Sequence, residues 1–240
     1  MNEQVGPVTA PRVRIVGPDD IPAALDDVGL QRERPVIALV GGAGGMSEQD
    51  LATVAEVLRT EVVPLADRRG AVVVDGGTDS GVMRLIGRAR AAAVGRFPLV
   101  GVAVDRTVIG SGAVSPVPDA AELEPHHTLF LLVPGTQWGD EAGWIGDVAR
   151  VVAGSRSSVT LLVNGGPIAY DDVAVSLRSG RPVVVLAGSG RAADAIARAR
   201  AGDVDDHRAV AIAASPLTRV VDVAEAGAVA AAIEAALEVD

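Results

Sequence analysis

Residues 72–83 read Val72-Val73-Val74-Asp75-Gly76-Gly77-Thr78-Asp79-Ser80-Gly81-Val82-Met83. A short β-branched apolar run without alternation is the pattern of a strand buried on both faces. The glycines that follow give a tight turn, and Asp79 or Ser80 stands where a helix N-cap belongs. Val82, Leu85, Ile86 and Ala89 then recur at helical spacing. Strand, turn and helix start in that order make one β–α unit of a parallel sheet.

The same unit recurs along the chain. Apolar runs fall at Val36–Val40, Ala71–Val74, Leu99–Val104, Thr128–Val133, Val159–Val163, Val183–Ala187 and Ala209–Ala213. Segments of helical period separate most of them: Ser47–Val57, Ser80–Val94, Asp140–Val152, Tyr170–Leu177, Arg191–Ala201 and Ala224–Leu237. Ser47, with Asp50 three residues on, is a capping-box start. The alternation predicts an α/β fold, a doubly wound, mostly parallel Rossmann-like sheet of about seven strands with helices on both faces. Residues 1–34 read as an amino-terminal extension packed on the domain, with a strand at Val13–Val16 followed by a helix; residues 35–240 form the domain itself. Residues 106–126, rich in Pro, Ser and Gly, are expected to loop over a pocket.

Composition narrows the chemistry. The chain has no cysteine and no lysine. Thiolate catalysis, Cys-ligated metals, Schiff bases and the P-loop lysine are excluded, so phosphate recognition falls to backbone N–H groups and arginine forks. A formal net charge of −10 argues against a nucleic-acid partner. No apolar run reaches membrane-spanning length and the start lacks a signal-peptide pattern, so a cytoplasmic location is expected, with no membrane partner. No cofactor is expected, and the sequence leaves a homo-oligomer open.

Ligands of open α/β sheets bind outside the carboxyl ends of the strands, and this chain places glycines at nearly every such end. Candidate ligand-binding residues are Gly42, Gly44 and Gly45 after the first core strand, and Gly76, Gly77, Thr78, Asp79 and Ser80 after the second. Gly135 and Thr136, Gly165, and Gly188, Ser189, Gly190 and Arg191 follow later strands. Together they predict a pocket for a phosphate-bearing nucleotide. The dinucleotide fingerprint is not matched, because Ser47 stands where the third glycine belongs. Gly77→Val is expected to abolish binding while leaving the fold largely intact.

The 72–83 stretch resembles the signature of the SLOG superfamily, the Rossmann-like fold named after Smf/DprA and Lonely-Guy proteins. It is most similar to the branch shared by the amino-terminal regions of TRPM channels and free-standing prokaryotic relatives. His127–Val133, the Gly135-Thr136-Gln137-Trp138-Gly139-Asp140-Glu141 turn and Val183–Asp194 fit that branch in collinear order, over about residues 36–200. The resemblance implies that residues 35–240 are a SLOG-like domain binding or sensing a nucleotide-derived small molecule, ADP-ribose or a relative. It also implies an enzymatic alternative. Lonely-Guy phosphoribohydrolases carry a P-G-G-x-G-T-x-E motif, and Pro134, Gly135 and Glu141 keep its spacing. Thr136, Trp138 and Gly139 depart from it. If the chain is a hydrolase of nucleoside monophosphates, Glu141 is its catalytic residue.

Three roles are open to Glu141: a ribose hydroxyl partner, a general base, or a charge at a helix amino terminus. Arg191 is the preferred phosphate-pairing arginine, ahead of Arg106. Trp138 either stacks on a base or caps the sheet edge. His126 and His127, adjacent and entering a strand, point to opposite faces, so no metal site is expected there and His127 reads as a hydrogen-bonding residue.

Overall fold

Among the described residues, eight strands pair in parallel in one sheet. They are β1 (Arg12–Arg14), β2 (Val36–Gly41), β3 (Val72–Asp75), β4 (Leu99–Val104), β5 (Leu129–Val133), β6 (Ser158–Val163), β7 (Val183–Ala187) and β8 (Thr218–Asp222). The computed structural model describes residues 10–42, 44–109 and 117–238. The strand order is β1-β5-β4-β3-β2-β6-β7-β8. From β2 the chain steps outward through β3 and β4 to β5, then returns to the other side of β2 for β6, β7 and β8. That reversal between β2 and β6 opens a crevice outside their carboxyl ends, because the loops on either side part to opposite faces.

Alternate residues of each strand face opposite layers. Ile37 and Leu39 pack with α2 (Glu48–Val57), α3 (Val63–Arg69), α4 (Gly81–Ala92) and α9 (Ala228–Leu237). Val36 and Ala38 face α1 (Ile21–Asp27) and α5 (Ala142–Ala153). Val40 joins the layer of α6 (Pro167–Arg178), α7 (Arg191–Arg200) and α8 (His207–Ala213). The predicted cap of α2 forms: Ser47 Oγ accepts from Asp50 N at 3.1 Å, and Asp50 Oδ2 accepts from Ser47 N at 3.2 Å. A π-helical turn, Leu58–Val62, carries α2 into α3, where Pro64 lacks the N–H that a regular ladder requires. Among the described residues, no helix is long and apolar enough to cross a membrane.

One strand assignment is corrected. Ala209–Ala213 lies in α8 and is not a strand. Asp206 caps that helix by accepting from Arg208 N and Ala209 N, and Ala209, Ile212 and Ala213 bury at the helical spacing. The strand of this unit is β8, whose polar Thr218, Arg219 and Asp222 break any continuous apolar run. Among the described residues the sheet has eight strands, close to the seven or so expected, with the amino-terminal strand β1 at one edge beside β5.

The described part of the 106–126 excursion does not roof the crevice. Val108 and Leu123 cover Ala103, Phe130 and Leu132 in a buried cluster that, among the described residues, includes no helical side chain. The segment also grips the 75–81 turn: Glu124 N donates to Gly77 O at 2.9 Å, and Asp79 N donates to Glu122 O at 2.7 Å. Residues 110–116 of the excursion lie outside the described residues.

Candidate functional site

A cavity of about 630 Å³ occupies the crevice where the strand order reverses, within the usual range for a small-molecule site. Gly41, Gly42 and Gly44 after β2 form one wall, and Gly76, Thr78, Ser80 and Gly81 after β3 form the next. Trp138, Glu141 and Ile145 close it from the α5 side, Gly166, Pro167, Ile168 and Asp172 from α6, and Arg191 from α7. At its base the two strands touch so closely that a Cβ on Gly41 would come within 1.9 Å of Val163 O.

Arg191 is the cation of this cleft. Its guanidinium lies between the turn after β2 and the start of α6: a Cβ on Gly44 would stand 3.0 Å from Nη1, and one on Gly166 would stand 3.2 Å from Nη2. It makes no hydrogen bond or ion pair among the described residues. Its backbone holds φ +42°, a region an L-residue adopts only at a cost. The amino end of α7 otherwise turns away. Ala192 N and Ala193 N donate to Gly165 O and Asn164 O at 3.1 and 3.0 Å, and Gly188 N donates to Asp194 Oδ1 at 2.7 Å.

The amino end of α4 is different. Ser80 is the N-cap, yet it makes no side-chain cap bond, and its Oγ pairs with Thr78 Oγ1 at 3.1 Å. The first N–H groups of a helix have no partner within it. Here they open beside the cavity, under two hydroxyls that capping leaves free.

The 75–81 turn is held from behind. Asp75 Oδ1 accepts from Gly77 N at 2.7 Å and meets His127 Nε2 at 2.8 Å. His127 Nδ1 meets Glu124 Oε2 at 2.9 Å, and His126 Nδ1 meets Glu124 Oε1 at 2.5 Å. The two rings thus converge on one carboxylate, contrary to the expectation that they diverge, because residues 126–127 turn before β5 begins. Burial opposes protonation of His127. The charge of Asp75 and the hydrogen bonds to Asp75 and Glu124 outweigh it and push the pKa up to about 9. Among the described residues, no group of His, Asp and Glu is arranged to hold a metal ion.

Two carboxyls face the cavity. Burial raises the pKa of Glu141, against the Gly139 N–H that its Oε2 accepts at 2.9 Å. Burial, then the charges of Glu141 and Asp171, push Asp172 up to about 7. Asp140 is drawn outward by Thr136 N and Gln137 N and held below the usual carboxylate range.

Of the residues expected at a ligand, Gly42, Gly44, Gly76, Thr78, Ser80, Glu141 and Arg191 line the cavity, as does Trp138. The others are near but turned elsewhere. Gly45 sits in the exposed turn behind Arg191. Gly77 points into the sheet with φ +68°, and a Cβ there would stand 2.7 Å from Gly101 Cα. Gly77→Val would therefore break the turn itself, and the expectation of a cleanly folded variant is withdrawn. Asp79 pairs with Arg84 at 2.7 Å. Gly135 packs on Val104, and Thr136 is tied to Asp140. Gly165 packs on Ala169. Ser189 Oγ is buried between Asn164 N and Leu186 O, with Gly188 and Gly190 framing that turn. Reading the sequence missed Asp172. The available signal was its place four residues after Ile168 on the face of α6 that follows the Gly165-Gly166-Pro167 turn.

Residues 34–232 match the sequence family described as SLOG in TRPM, prokaryote. The chain belongs to that family. The SLOG match runs past residue 200, where the motifs recognisable by eye stop, and takes in α8, β8 and the first half of α9. Within this family member, Gly76–Gly81 and Arg191 stand on opposite sides of the cleft, with Gly44 and Gly166 between them. No curated protein sequence matches the chain.

Proposed function

We propose that the cleft binds a nucleotide-derived ligand, ADP-ribose or a close relative, and that the protein acts as a binding or sensing module for it. The observation that carries this reading is the Arg191 guanidinium, unpaired among the described residues and seated between Gly44 and Gly166 in a cavity that the uncapped start of α4 also lines. A diphosphate would lie between that cation and the α4 N–H groups, which favour anions. Glu141 and Asp172 suit the hydroxyls of a ribose, and Trp138 gives an apolar plane for a base. Membership of the SLOG family supports the nucleotide class of the ligand.

A second reading, N-glycosidic cleavage of a nucleoside monophosphate, draws on one observation. Two cavity carboxyls have environments that push both upward, Asp172 to about 7, so one can carry a proton while the other is charged. The test is a thermal-shift screen of ADP-ribose and nucleoside monophosphates, followed by chromatography of any stabilising mixture. A ligand at about 100 times its Kd stabilises by about 2.7 kcal/mol. Stabilisation with ligand recovered intact supports binding alone; released base supports cleavage; no shift with any nucleotide rejects both.

A further inference from the structure

A second cavity lies at the amino edge of the sheet, on the side opposite the cleft. It measures about 360 Å³ and is walled by Arg150, Arg156 and Arg181, with Ser158 at the start of β6 and Pro182 and Leu217 ahead of β7 and β8. We propose that it binds a phosphate group, either free or as a small monoester, with the three arginines as its recognition elements.

Arg181 carries the argument. It is 5% exposed, yet it forms no ion pair among the described residues. Nε donates to Ser158 Oγ at 3.1 Å and Nη2 donates to Gly146 O at 3.0 Å. Nη1 has no hydrogen-bond partner among the described residues, and Arg181 lines the cavity. A buried guanidinium hydrogen-bonded only to neutral acceptors lacks a direct ion-pair partner, a place that a bound anion can fill.

Burial lowers the Arg181 pKa, the charge of Asp147 opposes this, and the charge of Arg150 adds to it. Asp147 is itself engaged by Arg150 at 3.1 Å. Ser158 Oγ accepts from Arg181 and has its own proton to donate. The helix ends nearby do not compete for the arginines: Arg156 N satisfies Ala153 O, and Ser179 N and Arg181 N satisfy Ser176 O. Three arginines and a hydroxyl donor lining one cavity suit the tetrahedral face of a phosphate, in competition with Asp147 at Arg150 and with Glu33 beside Gly154, whose charge Arg156 also feels. Pro182 and Leu217 supply an apolar wall for the carbon side of a monoester.

The test is a titration of the ¹⁵N-labelled full chain with inorganic phosphate and, separately, glycerol 3-phosphate, at an ionic strength held constant with chloride. Saturable shifts should centre on the amides of Gly154, Ser158 and Gly180. In the Arg150→Ala/Arg156→Ala double variant, which changes only exposed side chains, affinity should fall tenfold or more. Arg181→Met should abolish the response, and the double variant decides the matter if Arg181→Met does not fold. Tighter binding of either probe supports the site and tells a free phosphate from a monoester. The proposal is overturned if neither probe shifts these amides, if the shifts survive in the double variant, or if they appear only at Gly44, Gly81 and Gly166. In that last case the phosphate occupies the cleft, and the two sites are told apart.

Discussion

His127 Nε2 lies 2.8 Å from Asp75 Oδ1, with both side chains wholly removed from solvent. On its other side the same ring meets Glu124 Oε2 at 2.9 Å, so one imidazolium bridges two buried carboxylates. Through Asp75 the bridge fixes Gly77 N, and through Glu124 it fixes the excursion that clamps the turn. The cleft-facing side of the 75–81 turn is thus shaped by groups that do not line the cleft.

Removing the bridge should be costly. His127→Gln leaves two buried carboxylates without their cation, a change on the order of 3–5 kcal/mol. The pH dependence has a definite sign. The folded pKa, about 9, lies above the ordinary histidine value of 6.5. The stabilisation is therefore full below pH 6.5 and is lost as pH rises towards 9, at up to about 1.4 kcal/mol per pH unit. Urea denaturation at pH 6.5, 7.5 and 9 should show wild type losing stability while His127→Gln stays nearly flat. Equal slopes in the two proteins would mean that His127 is neutral in the fold.

Gly77→Ala should destabilise without testing binding directly. The added methyl meets Gly101 Cα at 2.7 Å and Phe130 Cδ1 at 3.2 Å, at a φ of +68° that alanine disfavours. Strain of this kind costs about 1–3 kcal/mol. A loss of ligand affinity in this variant should track its loss of stability. Unchanged stability would show that the turn can open away from β4.

How far the sequence foretells this molecule depends on where the information sits. β2 to β7 were legible because each is an apolar run with no alternation, the imprint of burial on both faces. β8 was not, since an edge strand exposes Arg219 and Asp222, and its neighbour α8 reads as an apolar run when short alanine-rich helices and strands are told apart by run length alone. The glycine turns were placed on the correct edge, but a turn does not say which way each residue faces. Gly77 and Gly165 look like Gly76 and Gly166 in sequence, and only the packing against Gly101 and Ala169 separates them. The Asp75–His127 contact joins residues 52 apart, and no local pattern encodes it.

Arg191 offers a separation of stability from function. Its side chain is exposed and unpaired among the described residues, and its φ is +42°. Arg191→Gly relieves the backbone and removes the charge, so its melting temperature should equal or exceed that of wild type, while affinity for ADP-ribose falls by about 1.5–3 kcal/mol. Calorimetric melting with isothermal titration reads both. A folded variant that binds ADP-ribose as tightly as wild type would remove Arg191 from the ligand's phosphates.

Asp172 and Glu141 distinguish the two readings of the cleft. With its pKa pushed up to about 7, Asp172 changes charge within the neutral range. Its folded value is raised, so its charge destabilises the protein progressively from about pH 4 to pH 7, and Asp172→Asn should raise stability at pH 8. If the cleft binds an anionic ligand and does nothing more, protonating Asp172 removes a negative charge from its wall. Affinity for ADP-ribose should then rise from pH 8 to pH 6, and Asp172→Asn should flatten that rise at the tighter, low-pH value. Glu141→Gln should cost little or even help, for the same electrostatic reason. If the cleft hydrolyses a nucleoside monophosphate, the outcome differs. Glu141→Gln would leave binding intact and cut turnover by roughly 10²–10⁴-fold, the worth of a positioned acid or base. We expect the binding pattern, because the residues between Gly135 and Glu141 depart from the hydrolase motif at Thr136, Trp138 and Gly139. Steady release of free base by wild type, lost in Glu141→Gln, would decide for the enzyme.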